Sequence, residues 1–321
     1  MDLDRMLVMC REAQWEADDL DWDLAPRQLS REHEIAVCQY FMDMSGIELL
    51  AGELFLAQRE QTDDPRLRAI FDSFIRDEQR HSEVARRLSR HYDVHHYRDY
   101  ELNPHLVRFR AAFVDAVRRL PPDIASAYIV SGELLLDVAL LRSLDDFVND
   151  EMSKRAMKLI NRDESRHIAV DFHMVEFYAS PAYLAWLDAQ PRPELAERLV
   201  GWVSLLEVLF YASPFFRDVF FRPMDLTDPS GVRLRQAFKR IQLLSTKPGV
   251  KDRPFTKFIA ALQDAFNDPI LGPLFGPLLQ RAIGLDPRVI AKLYTDEEER
   301  RARTMTFDQL AEEALGVKYA S

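Results

Sequence analysis

Apolar residues along this chain recur every three or four positions, the period of a helix with one buried face, and no stretch alternates in the manner of a strand. The residues between these patterns mark where helices begin and end. Ser30 precedes a periodic stretch with Glu32 and Glu34 in its first turn. A hydroxyl there accepts from free N–H groups and acidic side chains meet the positive helix end, which predicts a helix over 30–61. Thr62-Asp63-Asp64-Pro65 predicts a turn and then a helix over 65–91, because proline has no N–H to leave unpaired at the first helical position. Asn103-Pro104 opens another helix, which ends near Leu120 ahead of Pro121-Pro122-Asp123. Helices over 123–145 and 151–179 follow, joined by a polar loop from Asp146 to Asp150. Beyond Pro181 shorter helical stretches are expected over 193–221, 231–245, 254–266, 287–294 and 306–315, broken as at Pro269-Ile270-Leu271-Gly272-Pro273. The expected fold class is all-α. Residues 1–180 are read as a helical bundle with an N-terminal extension, and 181–321 as a helical C-terminal extension packed on it.

Composition narrows the classes of function. The chain has 321 residues, 47% apolar and 30% charged, enough to bury a core and to exclude disorder. Its 42 Lys and Arg against 53 Asp and Glu give a net charge of −11. That balance argues against nucleic-acid and anionic-membrane surfaces, which need excess cationic side chains. Cys10 and Cys38 are too few for a disulfide framework or a cysteine-rich metal site. The start Met1-Asp2-Leu3-Asp4 lacks the features of a secretory signal. The apolar stretch Leu199 to Phe216, interrupted by Glu207, is read as falling short of a membrane span. A cytoplasmic protein with no membrane and no nucleic-acid partner is the expectation.

The chemistry lies in an internal repeat. Arg76-Asp77-Glu78-Gln79-Arg80-His81 is echoed by Arg162-Asp163-Glu164-Ser165-Arg166-His167. Upstream, Ser45-Gly46-Ile47-Glu48 is echoed by Ser131-Gly132-Glu133. The separations match: 30 residues from Glu48 to Glu78 and 31 from Glu133 to Glu164. A lone Glu-x-x-His is weak, but two copies in one frame, each preceded by a Glu at matching distance, are specific. The midpoint of Glu48 and Glu78 is residue 63, in the first turn, and that of Glu133 and Glu164 falls at 148–149, in the second loop. Residues equidistant from the turn of a helical hairpin share one height, so each lone Glu should face its own Glu-x-x-His. The three-residue spacing puts Glu78 with His81, and Glu164 with His167, on one helix face. Pairing the hairpins gathers four carboxylates and two imidazoles at one level. Such a group is not buried without cations, and two divalent ions would neutralise it. Oxygen-rich ligands with two imidazoles suit iron or manganese better than zinc.

This arrangement resembles the ferritin-like di-iron carboxylate proteins, over roughly residues 30–180. The resemblance implies a ferritin-like four-helix bundle with additional C-terminal helices. It also implies two iron ions, with a manganese–iron pair as the alternative, held by Glu48, Glu78, His81, Glu133, Glu164 and His167. Glu78 and Glu164 would be the bridges. Asp77 and Asp163 precede the motif Glu as in the acyl-carrier-protein desaturases. That likeness implies hydrogen bonds across the hairpins, Asp77 to His167 and Asp163 to His81, which fix tautomer and orientation. The implied activity is that of an O2-dependent oxidoreductase, a hydroxylase or N-oxygenase, acting on a small organic substrate with a ferredoxin or flavoprotein reductase as electron donor. The arylamine N-oxygenases share the Asp-Glu-x-Arg-His frame but carry a seventh ligand histidine where this chain has Ile160. A desaturase with an acyl carrier protein as partner is the first alternative, and an iron-handling or peroxide-scavenging protein the second.

Other residues have plainer readings. Arg80 and Arg166 are expected as buried partners of Asp77 and Asp163. Ser45-Gly46 and Ser131-Gly132 either open space beside the metals or let helices approach closely. Tyr40 and Tyr128 are expected to pack in the core, and His91, His95 and His96 to lie at a solvated helix end. Glu53 is the rival to Glu48 as a ligand. Asp137 and Asp171, one turn beyond Glu133 and His167, and Glu207 are left open. The Phe-rich C-terminal segment, with Phe210, Phe215, Phe216, Phe220 and Phe221, either roofs a substrate pocket or forms the surface of a homodimer.

Overall fold

A computed structural model describes residues 1–191, 194–274, 276–277 and 287–319. Among these residues the chain is helical with no strand. Helix α1 spans Leu3–Glu12, α2 Arg31–Gln61, α3 Pro65–Tyr92 and α4 Pro104–Arg119. Each begins where a side chain satisfies its free N–H groups. Ser30 Oγ accepts from the His33 amide at 3.3 Å, Asp64 from Arg66 at 2.8 Å and Asn103 from His105 at 2.9 Å. Helix α5, Pro122–Leu134, runs through a π-helical turn, Leu135–Leu141, into α6, Arg142–Val148. Asn149, in the left-handed region with φ 49°, ends α6, and Asp150 caps α7, Glu151–Ala179.

Helices α2 and α3 pack closely as one hairpin, and α5 through α7 form a second. The two face each other through α2 against α5 and α3 against α7. The same Asp150 carboxylate that caps α7 accepts from the Tyr92 hydroxyl at 2.7 Å, tying the end of α3 to the second hairpin. Fully buried Phe41 and Tyr92, and Phe55, Phe71 and Phe74, pack ring on ring where α2 meets α3. Burying apolar area of this size is the main favourable term in the fold.

The remaining helices wrap this centre. They are α8, Pro181–Asp188; α9, Leu195–Phe215, which leads through a π-helical turn Phe216–Phe221 into α10, Arg222–Thr227; α11, Val232–Ser245; and α12, Pro254–Asn267. Short helices at Pro287–Ile290, Asp296–Thr304 and Phe307–Tyr319 follow. Helix α4 lies between α2 and α9, where Phe109 stacks on Phe215 with ring centres 4.3 Å apart. Helix α11 rests on the first π-helical turn, and Phe307–Tyr319 on α7.

Several sequence expectations need correction. Helix α1, α8 and Asp296–Thr304 fall outside the stretches read as helical, the predicted 123–145 helix contains a π-helical turn, and 287–294 shortens to Pro287–Ile290. The opening of the 193–221 stretch at Pro193 lies outside the described residues. The helical run continues past Phe216 to Thr227, so Leu199–Thr227, at 29 residues, is long and apolar enough to cross a membrane by length and composition. Only 19% of its apolar window is buried, and Leu199, Val203, Leu206 and Phe210 form an exposed stripe. Pro122–Val148 meets the same criterion but is 76% buried, as a core helix is.

Candidate metal centre

Four helices bring the repeat residues to one level. Glu48 comes from α2, Glu78 and His81 from α3, Glu133 from α5, and Glu164 and His167 from α7. Glu133 is 3% exposed and the other five are fully enclosed. They form two overlapping groups, Glu48, Glu78, His81 and Glu164, and Glu78, Glu133, Glu164 and His167. In each group the donor atoms lie within 4.8 Å of one another, a spacing that could hold a metal ion. Glu78 and Glu164 belong to both.

The imidazoles are oriented from both sides. His81 Nδ1 is 3.1 Å from Glu164 Oε1, and His167 Nδ1 is 3.0 Å from Glu78 Oε1. Their Nε2 atoms turn away, His81 to Asp163 at 3.2 Å and His167 to Asp77 at 3.5 Å, each across to the other hairpin. The aspartates are held in turn. Arg166 donates to both, at 2.9 Å to Asp163 and 3.1 Å to Asp77, and Arg80 donates to Asp77. Phe74 and Phe55 close over His167, with ring centres 4.1 and 5.0 Å away.

Electrostatics demand positive charge here. Burial, together with Glu78 and Glu164, pushes the Glu48 carboxyl well above its ordinary range; burial, with Glu164 and Glu78, does the same to Glu133. Burial opposes protonation of both histidines, yet the surrounding carboxylates outweigh it and hold both imidazoles well above their usual range. Both oxygens of Glu48, and Oε2 of Glu78 and of Glu133, find no hydrogen-bond partner among the described residues. Orphaned carboxylate oxygens converging on one point are what a cation site requires. Ionised together, the four carboxylates carry four negative charges, which two divalent cations would balance. The donor set therefore fits a two-metal group.

Other candidates separate from this cluster. Glu53 pairs with Arg110 at 2.7 Å, which removes it as a ligand. Tyr40 lies against Met224, its hydroxyl 4.0 Å from the sulfur, and the Tyr128 side chain lies outside the described residues. His95 meets Glu34 at 2.7 Å and His96 meets Asp93 at 3.0 Å, so these histidines do not converge. Glu207 is exposed to solvent. Asp137, in the π-helical turn, and Asp171 are fully buried, and burial raises the Asp171 carboxyl well above its ordinary range.

One participant gave no sequence signal. Trp15, from the segment after α1, donates its indole N–H to Asp163 Oδ2 at 2.6 Å and stacks on His81 with ring centres 6.4 Å apart. Beside the centre lies a cavity of about 320 Å³, lined by α2, α4, α5, α9, α11, α12, the Pro287–Ile290 helix and the two π-helical turns, with Glu133 in its wall. Its volume falls in the range of small-molecule sites. No family model matches this chain, and neither a curated protein nor a solved structure does.

Proposed function

We propose that this protein is a two-metal, O2-activating oxidoreductase built on a ferritin-like four-helix bundle, acting on a small organic substrate. The observation that carries the reading is the pair of buried groups sharing Glu78 and Glu164, with an apolar cavity against Glu133. Oxygen-rich, two-histidine coordination supports iron, or iron with manganese, over zinc. Such a redox-active pair, when bound, supplies the two-electron reduction of O2. The chain supplies the rest. Glu78 and Glu164, common to both groups, would be shared between the two ions, His81 and His167 would bind one each, and Asp77 and Asp163 would hold the imidazole N–H groups outward. Phe55 and Phe74 exclude water from His167. An iron store has no need of the cavity, which supports turnover of an organic substrate. Electrons would come from a ferredoxin or flavoprotein reductase.

The nearly unbroken apolar lining favours a second reading, desaturation of an acyl chain, with an acyl carrier protein as partner. Anaerobic Fe(II) titration followed by exposure to isotopically labelled O2 tests both readings. Two equivalents of Fe(II) per chain and O2 consumption are expected, with about one equivalent in His81→Ala. Label in the product marks hydroxylation or N-oxygenation; a product with a new double bond and no label marks desaturation. Wild-type protein that binds no Fe(II), or His81→Ala that still binds two, would overturn the proposal.

A further inference from the structure

The two copies of the Ser-Gly pair differ in what surrounds them. A Cβ at Gly46 would meet the Leu102 and Leu106 methyl groups at 2.8 Å, so this glycine lets α4 close against α2. A Cβ at Gly132 would meet no atom of the described residues within 4 Å. Gly132 borders the cavity and immediately precedes Glu133. The repeat is therefore closed on the α2 side of the centre and open on the α5 side.

Among the described residues lining that cavity only Ser131 and Glu133 have polar side chains, and Ser131 spends its hydroxyl on the Ala127 carbonyl at 2.7 Å. Phe109, Phe113, Phe215, Phe216, Phe220 and Phe221 contribute much of the wall. An anion drawn inside would lose its hydration, gain no free donor from these described residues and face Glu133. Among these described residues a cation would find only Glu133, which offers an oxygen to the metal group. The outer end is less enclosed: Ile259, on α12, also lines the cavity and is 40% exposed.

We propose that this cavity takes an uncharged hydrocarbon body, inserted as far as Glu133 with any charged end left outside near Ile259, and that Gly132 sets how bulky the inserted end can be. This rests on the proposed function for the fate of the inserted end, but not for binding itself. A larger side chain at 132 would extend into this open space beside Glu133.

Calorimetric titration of the full chain, with and without redox-silent Mn(II), tests it with two probes of equal length, decanol and the decanedioate dianion. Decanol is expected to bind, and decanedioate, which must bury one carboxylate, to bind at least about 100-fold more weakly. Gly132→Leu should weaken decanol binding about tenfold or more and leave Mn(II) stoichiometry unchanged, with Gly132→Ala causing a smaller loss in the same direction. Comparable binding of the dianion, no binding of decanol, or unchanged affinity in both variants would overturn the proposal. Protein that binds decanol as expected yet consumes no O2 when loaded with Fe(II) would sink the proposed function and leave the cavity's chemistry intact.

Discussion

Asp163 collects four donors on one buried carboxylate. Trp15 and the His81 Nε2 share Oδ2, while Arg166 at 2.9 Å and Arg162 at 3.5 Å hold Oδ1. These contacts outweigh the burial that would raise its pKa and keep the carboxyl below its ordinary range, so it stays an anion facing His81. An ionised acceptor fixes the outward nitrogen as the protonated one and makes the inner nitrogen a better ligand. Asp163→Asn keeps the volume but replaces one accepting oxygen with a donor. It should fold and lose metal affinity by about 10–100-fold, as should Asp77→Ala on the other hairpin. Competition against a chelator measures this; wild-type affinity in both variants would mean that these aspartates do not tune the histidines. Trp15→Phe removes a donor and leaves the carboxylate buried, so it should cost about 1–3 kcal/mol of stability in denaturant melts. A cost near zero would show that Trp15 merely fills space. The aspartates could be read from the repeat, but Trp15 could not. It lies 148 positions from its partner, has no counterpart in the other copy, and reaches Asp163 only through tertiary packing.

At the scale of elements, the sequence was most readable where local chemistry and tertiary packing agree. Ser30, Asp64, Asn103 and Asp150 cap the helices they precede, and the two turns lie at the midpoints that align Glu48 with Glu78 and Glu133 with Glu164. The π-helical turn Leu135–Leu141 was not readable. Its residues are as apolar as an ordinary buried helix, and one added residue per turn leaves no compositional mark. Nor was the docking of α4, where Gly46 of α2 lies against the Leu102 and Leu106 methyl groups. One carboxylate secures that region: Asp43 on α2 accepts from the Asn103 amide at the start of α4 at 2.7 Å, and from Gln39 at 3.2 Å. Burial lifts Asp43 from an ordinary 3.8 to about 6. Below pH about 4 the group is protonated in both folded and unfolded chains and has no effect. As pH rises from about 4 to about 6 the unfolded chain ionises first, so stability falls, and near neutrality the cost reaches about 3 kcal/mol. Asp43→Asn, which keeps an acceptor for Asn103, should remove that decline. Urea melts of both proteins between pH 4 and 7 would show it, and parallel pH profiles would refute it.

For the whole molecule, the consequence of gathering four glutamates at the centre of a chain already at −11 is that folding and metal binding become one equilibrium. In the unfolded chain these six side chains are scattered over more than a hundred positions and bind no ion cooperatively. In the folded chain they are held ready. A cation that binds only the folded state at about 100 times its dissociation constant adds about 2.7 kcal/mol per site, so two sites add about 5 kcal/mol. For a protein of this size that raises Tm by on the order of 10 °C. Calorimetric scans of chelator-treated protein with and without Fe(II), under anaerobic conditions, should show that shift, and Mn(II) should give a comparable one. His81→Ala, which leaves Glu78, Glu133, Glu164 and His167 in place, should keep roughly half of it. Magnesium, which holds its waters and prefers oxygen ligands, should give far less. A Tm indifferent to Fe(II) and Mn(II) would mean that the cluster meets its need for positive charge with protons alone. The hairpins would then be joined by protonated carboxyls and charged imidazoles, and the two groups sharing Glu78 and Glu164 would bind no metal.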